Sequence, residues 1–234
     1  MDIINYPYWD YIAVTYFFLL WVGYSYFSKI MAKRTHCLAS ILDVHRVWWM
    51  ERMLLRENRI ADAALLANLE RNVNFFASTT MIIIAAILTA LTSSSNWVVL
   101  DVGIDSGLNK YKLLLLLAIM IYAFFTFTWS LRQFGFGSVL LGAAPIPDQK
   151  EFNASQRKQY AYSTAKVLDH AGHSFNYGLR AYYFSMAVLA WFVHPLLFLF
   201  STSVVLAVLY RREFYSKSLK HMVMDETILK SNEG

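Results

Sequence analysis

Four apolar blocks, separated by charged or turn-forming stretches, set the frame of this 234-residue chain. The first three, 11–27, 75–91 and 113–129, each reach the practical minimum for crossing a bilayer, about 17 apolar residues. The fourth, 181–210, would measure roughly 45 Å as a single helix, well beyond the ~30 Å of hydrocarbon. His194-Pro195 stands near its middle, and proline removes a helical donor and disfavours helical geometry at the residue before it. Two readings follow: one long, kinked, tilted span, or two short spans joined by a tight turn. The pattern predicts an all-α, polytopic membrane bundle in a single domain, 1–234. Its spans fall at about 11–31, 75–92, 113–132, 178–193 and 195–210, with four crossings if the last block is one kinked helix.

The intervening polar stretches also have helical character. The segment 34–70 has neither Gly nor Pro, is rich in Leu, Ala, Arg and Glu, and is expected to be helical throughout. Leu38, Ile41, Leu42, His45, Trp48, Trp49, Arg52 and Leu55 recur at helical spacing. That face suits a helix lying on a membrane surface, or one packed against neighbouring helices. The part from Arg59 onward is expected to run straight into the second span, and 152–177 to do the same ahead of the fourth. Phe134-Gly135-Phe136-Gly137-Ser138, continuing to Pro147, is expected to form a re-entrant or interfacial turn. The outer connection 92–111 is short and turn-rich.

Charge orients the array, because cytoplasmic loops are enriched in Lys and Arg. The first tail has Asp2 and Asp10 and no basic residue, whereas Lys29, Lys33, Arg34, Arg46, Arg52, Arg56, Arg59 and Arg71 follow the first span. If the last block doubles back, 19 of the 21 basic residues lie inside, leaving Lys110 and Lys112 outside. A single kinked span gives only 14 inside, so N-terminus out and C-terminus in is the favoured topology. The first apolar stretch has no basic residue before it and no small-residue cleavage pattern after it, so it is expected to be retained as a span.

Composition agrees. Hydrophobic residues make up 57% and charged residues only 16%, against ~25% in soluble domains. Mean hydropathy is +0.38. The lone Cys37 excludes an internal disulfide framework, and the net charge of +5 is accounted for by membrane orientation rather than nucleic-acid binding. No phosphate loop, G-x-S-x-G, Cys-x-x-Cys or H-E-x-x-H occurs.

Polar residues at membrane depth are costly and call for a partner or a role. Three groups gather at the expected inner boundary: Arg71 and Asn74 at the start of the second span, Ser130, Arg132 and Gln133 at the end of the third, and Asn176 and Arg180 ahead of the fourth. Arginines there can simply snorkel to lipid phosphates. They can equally converge on an anion, a headgroup phosphate, a phosphorylated metabolite or a carboxylate, with the amides and Ser130 supplying neutral hydrogen bonds. Glu70 and Asp169 are the carboxylates that would neutralise them instead. His170 and His173, beside Asp169, have the i, i+3 spacing of a metal-ligand pair. The Glu-x-x-His repeats of dimetal bundles are missing, and a surface or packing pair is the simpler reading.

The stretches 74–80 (NFFASTT), 126–145 (TFTWSLRQFGFGSVLLGAAP), 175–184 (FNYGLRAYYF) and 209–214 (LYRREF) resemble an integral-membrane family of bacteria and some plants, catalogued as a domain of unknown function. The resemblance covers most of the chain and implies a multi-pass protein of the bacterial cytoplasmic (inner) membrane. It carries no assigned activity, so no catalytic residue is transferred from it and it leaves any cofactor unknown.

The expected function is that of a non-enzymatic accessory or regulatory protein with an inner-rim pocket for an anionic ligand or lipid headgroup. Its partners are expected to be the bilayer, including anionic lipid, and a further copy or another membrane subunit, with no nucleic acid. A metalloprotein using His170 and His173 is one alternative. A small transporter or channel subunit is another, though no internal repeat and no acidic residue within a span favours it.

Overall fold

The computed structural model describes residues 8–32, 35, 37–93, 106–147, 149 and 151–223. Most of the outer connection, and Asp2, Lys33, Arg34, Lys150 and Lys230, lie outside the described residues. Six long helices follow one another: α1 Tyr8–Met31, α2 Leu38–Leu54, α3 Ile60–Thr92, α4 Ser106–Gly142, α5 Ala154–Trp191 and α6 Pro195–Phe214. Four segments are long and apolar enough to cross a membrane: Tyr8–Met31, Ile60–Thr92, Leu108–Gly142 and Pro195–Val223. The chain is an all-helical bundle of membrane-protein character.

α5 is the central helix. At its start Asn153 Oδ1 accepts from Gln156 N (2.8 Å) while Gln156 Oε1 accepts from Asn153 N (2.9 Å), a reciprocal cap that satisfies two otherwise orphaned donors. Its buried positions are dominated by small residues, among them Ala161, Ala165, Ala171, Gly172, Gly178, Ala181 and Ser185. In a bilayer, lipid is as apolar as a leucine side chain, so helices associate through close packing, and small residues allow it. α4 packs antiparallel to α5. Ser130 Oγ donates to Ala171 O at one level and Lys112 Nζ to Trp191 O at another. α3 completes the triangle through Phe76, which stacks on Phe127 (5.5 Å) and meets Phe175 and Tyr182 edge-on.

The last apolar block folds back on itself. α5 ends at Trp191, His194 caps α6 by accepting from Leu196 N on Nδ1 (3.1 Å), and Pro195 takes the first helical position, where its missing N–H costs nothing. Trp191 then stacks on Phe198 (5.1 Å), and Arg212, near the far end of α6, donates to the Tyr183 hydroxyl. α1 runs alongside α6 in the same direction, with Phe17 against Phe198 and Phe27 against Tyr210 and Phe214.

Two sequence expectations need correction. The segment 34–70 is not one helix. α2 stops at Leu54, the chain turns through Leu55–Arg59, and Asn58 Oδ1 accepts from Ile60 N to start α3. Arg56, Glu57, Asn58 and Arg59 offer no apolar side chain to bury, so nothing holds a helix across them. The glycine-bearing stretch after Arg132 is not a turn either. α4 stays helical to Gly142, and no described glycine has positive φ. Gly137 is needed for closeness instead, since a Cβ there would collide with Leu168 of α5.

The turn comes later, at 143–147, and two arginines clamp it. Arg59 donates to Ala144 O (2.7 Å) and Pro145 O (2.6 Å), and Arg157 Nη2 donates to Ile146 O, Pro147 O and Gln149 O. α2, the first halves of α3 and α5 and the end of α4 thus form a helical layer at one end of the bundle.

Candidate anion site at the charged end of the bundle

The seven residues singled out at the inner boundary fall into three groups. Arg180 of α5 turns toward α1 and α6. Its Nη2 donates to Ser28 Oγ (2.9 Å), its guanidinium lies over the rings of Tyr24 (5.2 Å) and Tyr177 (5.6 Å), and Glu213 Oε2 stands 4.0 Å away. Glu213 also accepts from Ala39 N at the start of α2. The side chains of Arg180 and Glu213 are only 12% and 14% exposed, so this is a near-neutral joint between α1, α2, α5 and α6.

Arg71 and Arg132 lie elsewhere, both exposed. Arg71 Nη1 donates to Asn68 Oδ1 (3.2 Å) on its own helix, and Arg132 lies over the ring of Phe136 (5.7 Å). Neither has an ion-pair partner among the described residues. Glu70 is engaged by Ser138, whose Oγ donates to Oε1 (2.6 Å). That bond and the Phe76–Phe127 stack set the antiparallel register of α3 on α4. The register puts Arg71 and Arg132 within about one helical turn of each other in depth. Asn74, exposed on the same face of α3 as Arg71, has no side-chain partner among the described residues.

The remaining members are interior. Ser130 is fully buried and bound to Ala171 O (2.7 Å), while Gln133 accepts from Ser174 (3.0 Å). Asn176 is half-buried without a side-chain partner among the described residues. The three arginines therefore do not share one pocket. Arg71 and Asn74 on α3 and Arg132 on α4 are exposed at similar depth, and Arg180 is held apart.

His170 is exposed, while His173 Nε2 sits 3.2 Å from Asp169 Oδ2. Asp169 also pairs with Arg46 of α2, and Lys166 donates to both oxygens of Asp43 (2.8 and 2.6 Å). Among the described residues, no group of three His, Cys, Asp or Glu side chains is placed to hold a metal ion. Burial would raise the Asp169 pKa, but the hydrogen bond and charge of His173 and the charges of Arg46 and Lys166 outweigh it and hold the carboxyl below its ordinary value. Burial would lower the Lys166 pKa, and the Asp43 carboxylate reverses this, raising it.

The model of a family described as "Protein of unknown function, DUF599" matches residues 12–218. The chain belongs to this family. No curated protein and no solved structure matches it. Every residue of both arginine sites lies within the matched span of this DUF599 member.

Sequence reasoning passed over the second half of the polar architecture. Asp62, fully buried at the start of α3, accepts on Oδ1 from Trp49 Nε1 (2.7 Å) and from Arg56, and its Oδ2 has no partner among the described residues. This contact and the Asp43–Lys166 and Arg46–Asp169 pairs fasten α2 to α3 and α5. Of the two readings of α2, the packed one holds: Ile41, Met50, Met53 and Leu54 are buried.

Proposed function

We propose that this protein is a five-crossing protein of the bacterial inner membrane, N-terminus out and C-terminus in. In this reading it is a non-enzymatic accessory or regulatory protein that engages an anionic ligand or lipid headgroup at its inner rim. One observation carries the ligand: Arg71 and Arg132 are exposed at one depth on neighbouring helices, and neither has an ion-pair partner among the described residues. A guanidinium with unspent donors at the edge of an apolar surface is matched by a phosphate or carboxylate. Several titratable groups of the inner layer are engaged with one another, as in Arg46–Asp169–His173, Asp43–Lys166 and Arg56–Asp62, which favours a scaffold over a reaction centre.

The orientation rests on the hairpin. Because α6 returns to the start of α2, Arg211, Arg212, Lys217 and Lys220 lie at the same end as Arg46, Arg56, Arg71 and Arg132. Lys110 and Lys112 lie at the other end, the asymmetry expected for a cytoplasmic face rich in basic residues. A reporter fused after Gly234 is expected to be active on the cytoplasmic side. A periplasmic readout would sink the five-crossing topology.

For the ligand, thermal unfolding of detergent-purified protein is expected to shift upward with phosphatidylglycerol or with inorganic phosphate, and not with phosphatidylcholine. Replacing Arg71 and Arg132 together by Gln is expected to weaken the apparent affinity about tenfold or more, since charge-assisted hydrogen bonds contribute ~1.5–3 kcal/mol each. Equal stabilisation of the double variant and the parent would remove the reading.

A further inference from the structure

We infer that the anion engaged by Arg71 and Arg132 is the phosphate of a membrane phospholipid, seated on the bilayer-facing side of the α3–α4 pair with its acyl chains along both helices. This rests on the anion-binding reading above and specifies its ligand.

The first ground is continuity with the bilayer-facing surface. Arg132 interrupts an exposed apolar stripe at three- and four-residue spacing, Phe125, Trp129, Phe136 and Val139, within a helix apolar enough to span. Arg71 heads a matching stripe of Phe75, Ser78 and Ile82 on α3. An anion arriving from water would be expected on polar surface, whereas these guanidiniums are set in the face that contacts acyl chains.

Depth is the second ground. The apolar stripe continues seven residues beyond Arg132 to Val139, 70% exposed, which is roughly 10 Å further toward the charged end. On α3, Leu65 and Leu69 are likewise exposed beyond Arg71. The arginines thus sit within the apolar belt, where a cation without a partner is costly and the available anion is a phosphate drawn in from the headgroup layer.

Space is the third. Gly135 stands midway at three-residue spacing between Arg132 and Ser138, which bonds Glu70 of α3, so it lies on the α3 side of Arg132, and a Cβ there would meet nothing within 4 Å. Asn74, on the facing helix, offers an amide with no partner among the described residues. Together they leave a niche beside two guanidiniums, with hydrogen-bonding capacity for a phosphate or glycerol oxygen and with apolar tracks leading away from it.

The test uses the full-length protein and three additives, inorganic phosphate, long-chain phosphatidylglycerol and phosphatidylcholine, with thermal stabilisation and retention of lipid in native mass spectrometry as readouts. Phosphatidylglycerol is expected to stabilise at concentrations at least about tenfold below those required of phosphate, because the acyl chains contribute their own contacts. Gly135→Trp, which fills the niche and leaves both arginines in place, is expected to abolish lipid retention. Lys220→Gln, a cation off this face, is expected to leave it intact. If phosphate protects as well as the lipid and Gly135→Trp changes nothing, the lipid assignment is overturned while anion binding stands. If no additive stabilises the parent protein, both fall. Cross-linked dimers through Gly135→Cys in lipid vesicles would show that a second copy covers the face and would also overturn the assignment.

Discussion

Gly178→Ala is expected to destabilise the bundle by about 2 kcal/mol, although alanine improves intrinsic helix stability by up to ~1 kcal/mol. A Cβ at this position would lie 2.7 Å from both Cδ1 and Cζ of Phe127. That ring is fully buried and held between Phe76, Phe175 and Tyr182 at centroid distances of 5.5 to 5.7 Å, so it has nowhere to retreat. The contact lies where α3, α4 and α5 meet, and relief would require α4 to move off α5. Gly23→Ala is the control, because a Cβ there meets nothing within 4 Å and is expected to be neutral or stabilising. Thermal or denaturant unfolding in detergent measures both. The steric origin is checked by Phe127→Leu, which should restore part of the loss in the double variant. A Gly178→Ala protein as stable as its parent would show that the packing at this crossing is loose.

The same glycine illustrates what the sequence discloses and what it does not. Spans are legible because a bilayer requires an unbroken apolar run, and 75–91 and 113–129 do lie within α3 and α4. The break at proline 195 is legible because proline disfavours helix at its predecessor, but it leaves a kink and a hairpin open, and only the balance of basic residues favours the hairpin. The role of a glycine is not, since a turn and a close approach leave the same letter. Gly137 and Gly178 serve packing, and only the positions of Leu168 and Phe127 reveal it. Arginine depth was likewise readable and arginine direction was not. Arg180 shares its level with other basic residues, but which side of α5 meets α1 and which meets α4 is decided by tertiary packing. Hydroxyls within the spans are a simpler case. Thr79, Thr126 and Thr128 donate to the carbonyls of their own preceding turns, which satisfies them without any partner helix, whereas Thr80 bonds both the Phe76 carbonyl and the Tyr182 hydroxyl of α5.

Removing Asp169 should loosen α2 from the rest of the bundle. Its carboxylate stands between Arg46 and His173, and the Arg46 guanidinium reaches it by lying flat on α5 where Gly172 leaves room; a Cβ there would be 2.6 Å from Arg46 Nη2. Asp169→Ala would leave Arg46 and His173 without their carboxylate, while Lys166 keeps Asp43. Breaking a fully buried pair costs about 3–5 kcal/mol. Because the Arg46 side chain retains 21% exposure, the lower end, about 3 kcal/mol, is expected. Hydrogen exchange is the sensitive measurement: amides of α2 should lose protection while those of α3 and α4 keep theirs, since Phe76, Phe127 and Ser130 do not depend on this joint. The depressed Asp169 pKa adds a pH signature. A carboxyl held below its unfolded value contributes stability above the unfolded pKa, near 4, and loses it as pH falls toward the folded one. Parent protein should therefore show α2 loosening below about pH 4, and Asp169→Asn should show little further change over that range. Unaltered α2 protection in Asp169→Ala would mean that Trp49–Asp62 and the buried Ile41, Met50 and Met53 suffice to hold the helix, and that the charge pair contributes nothing measurable.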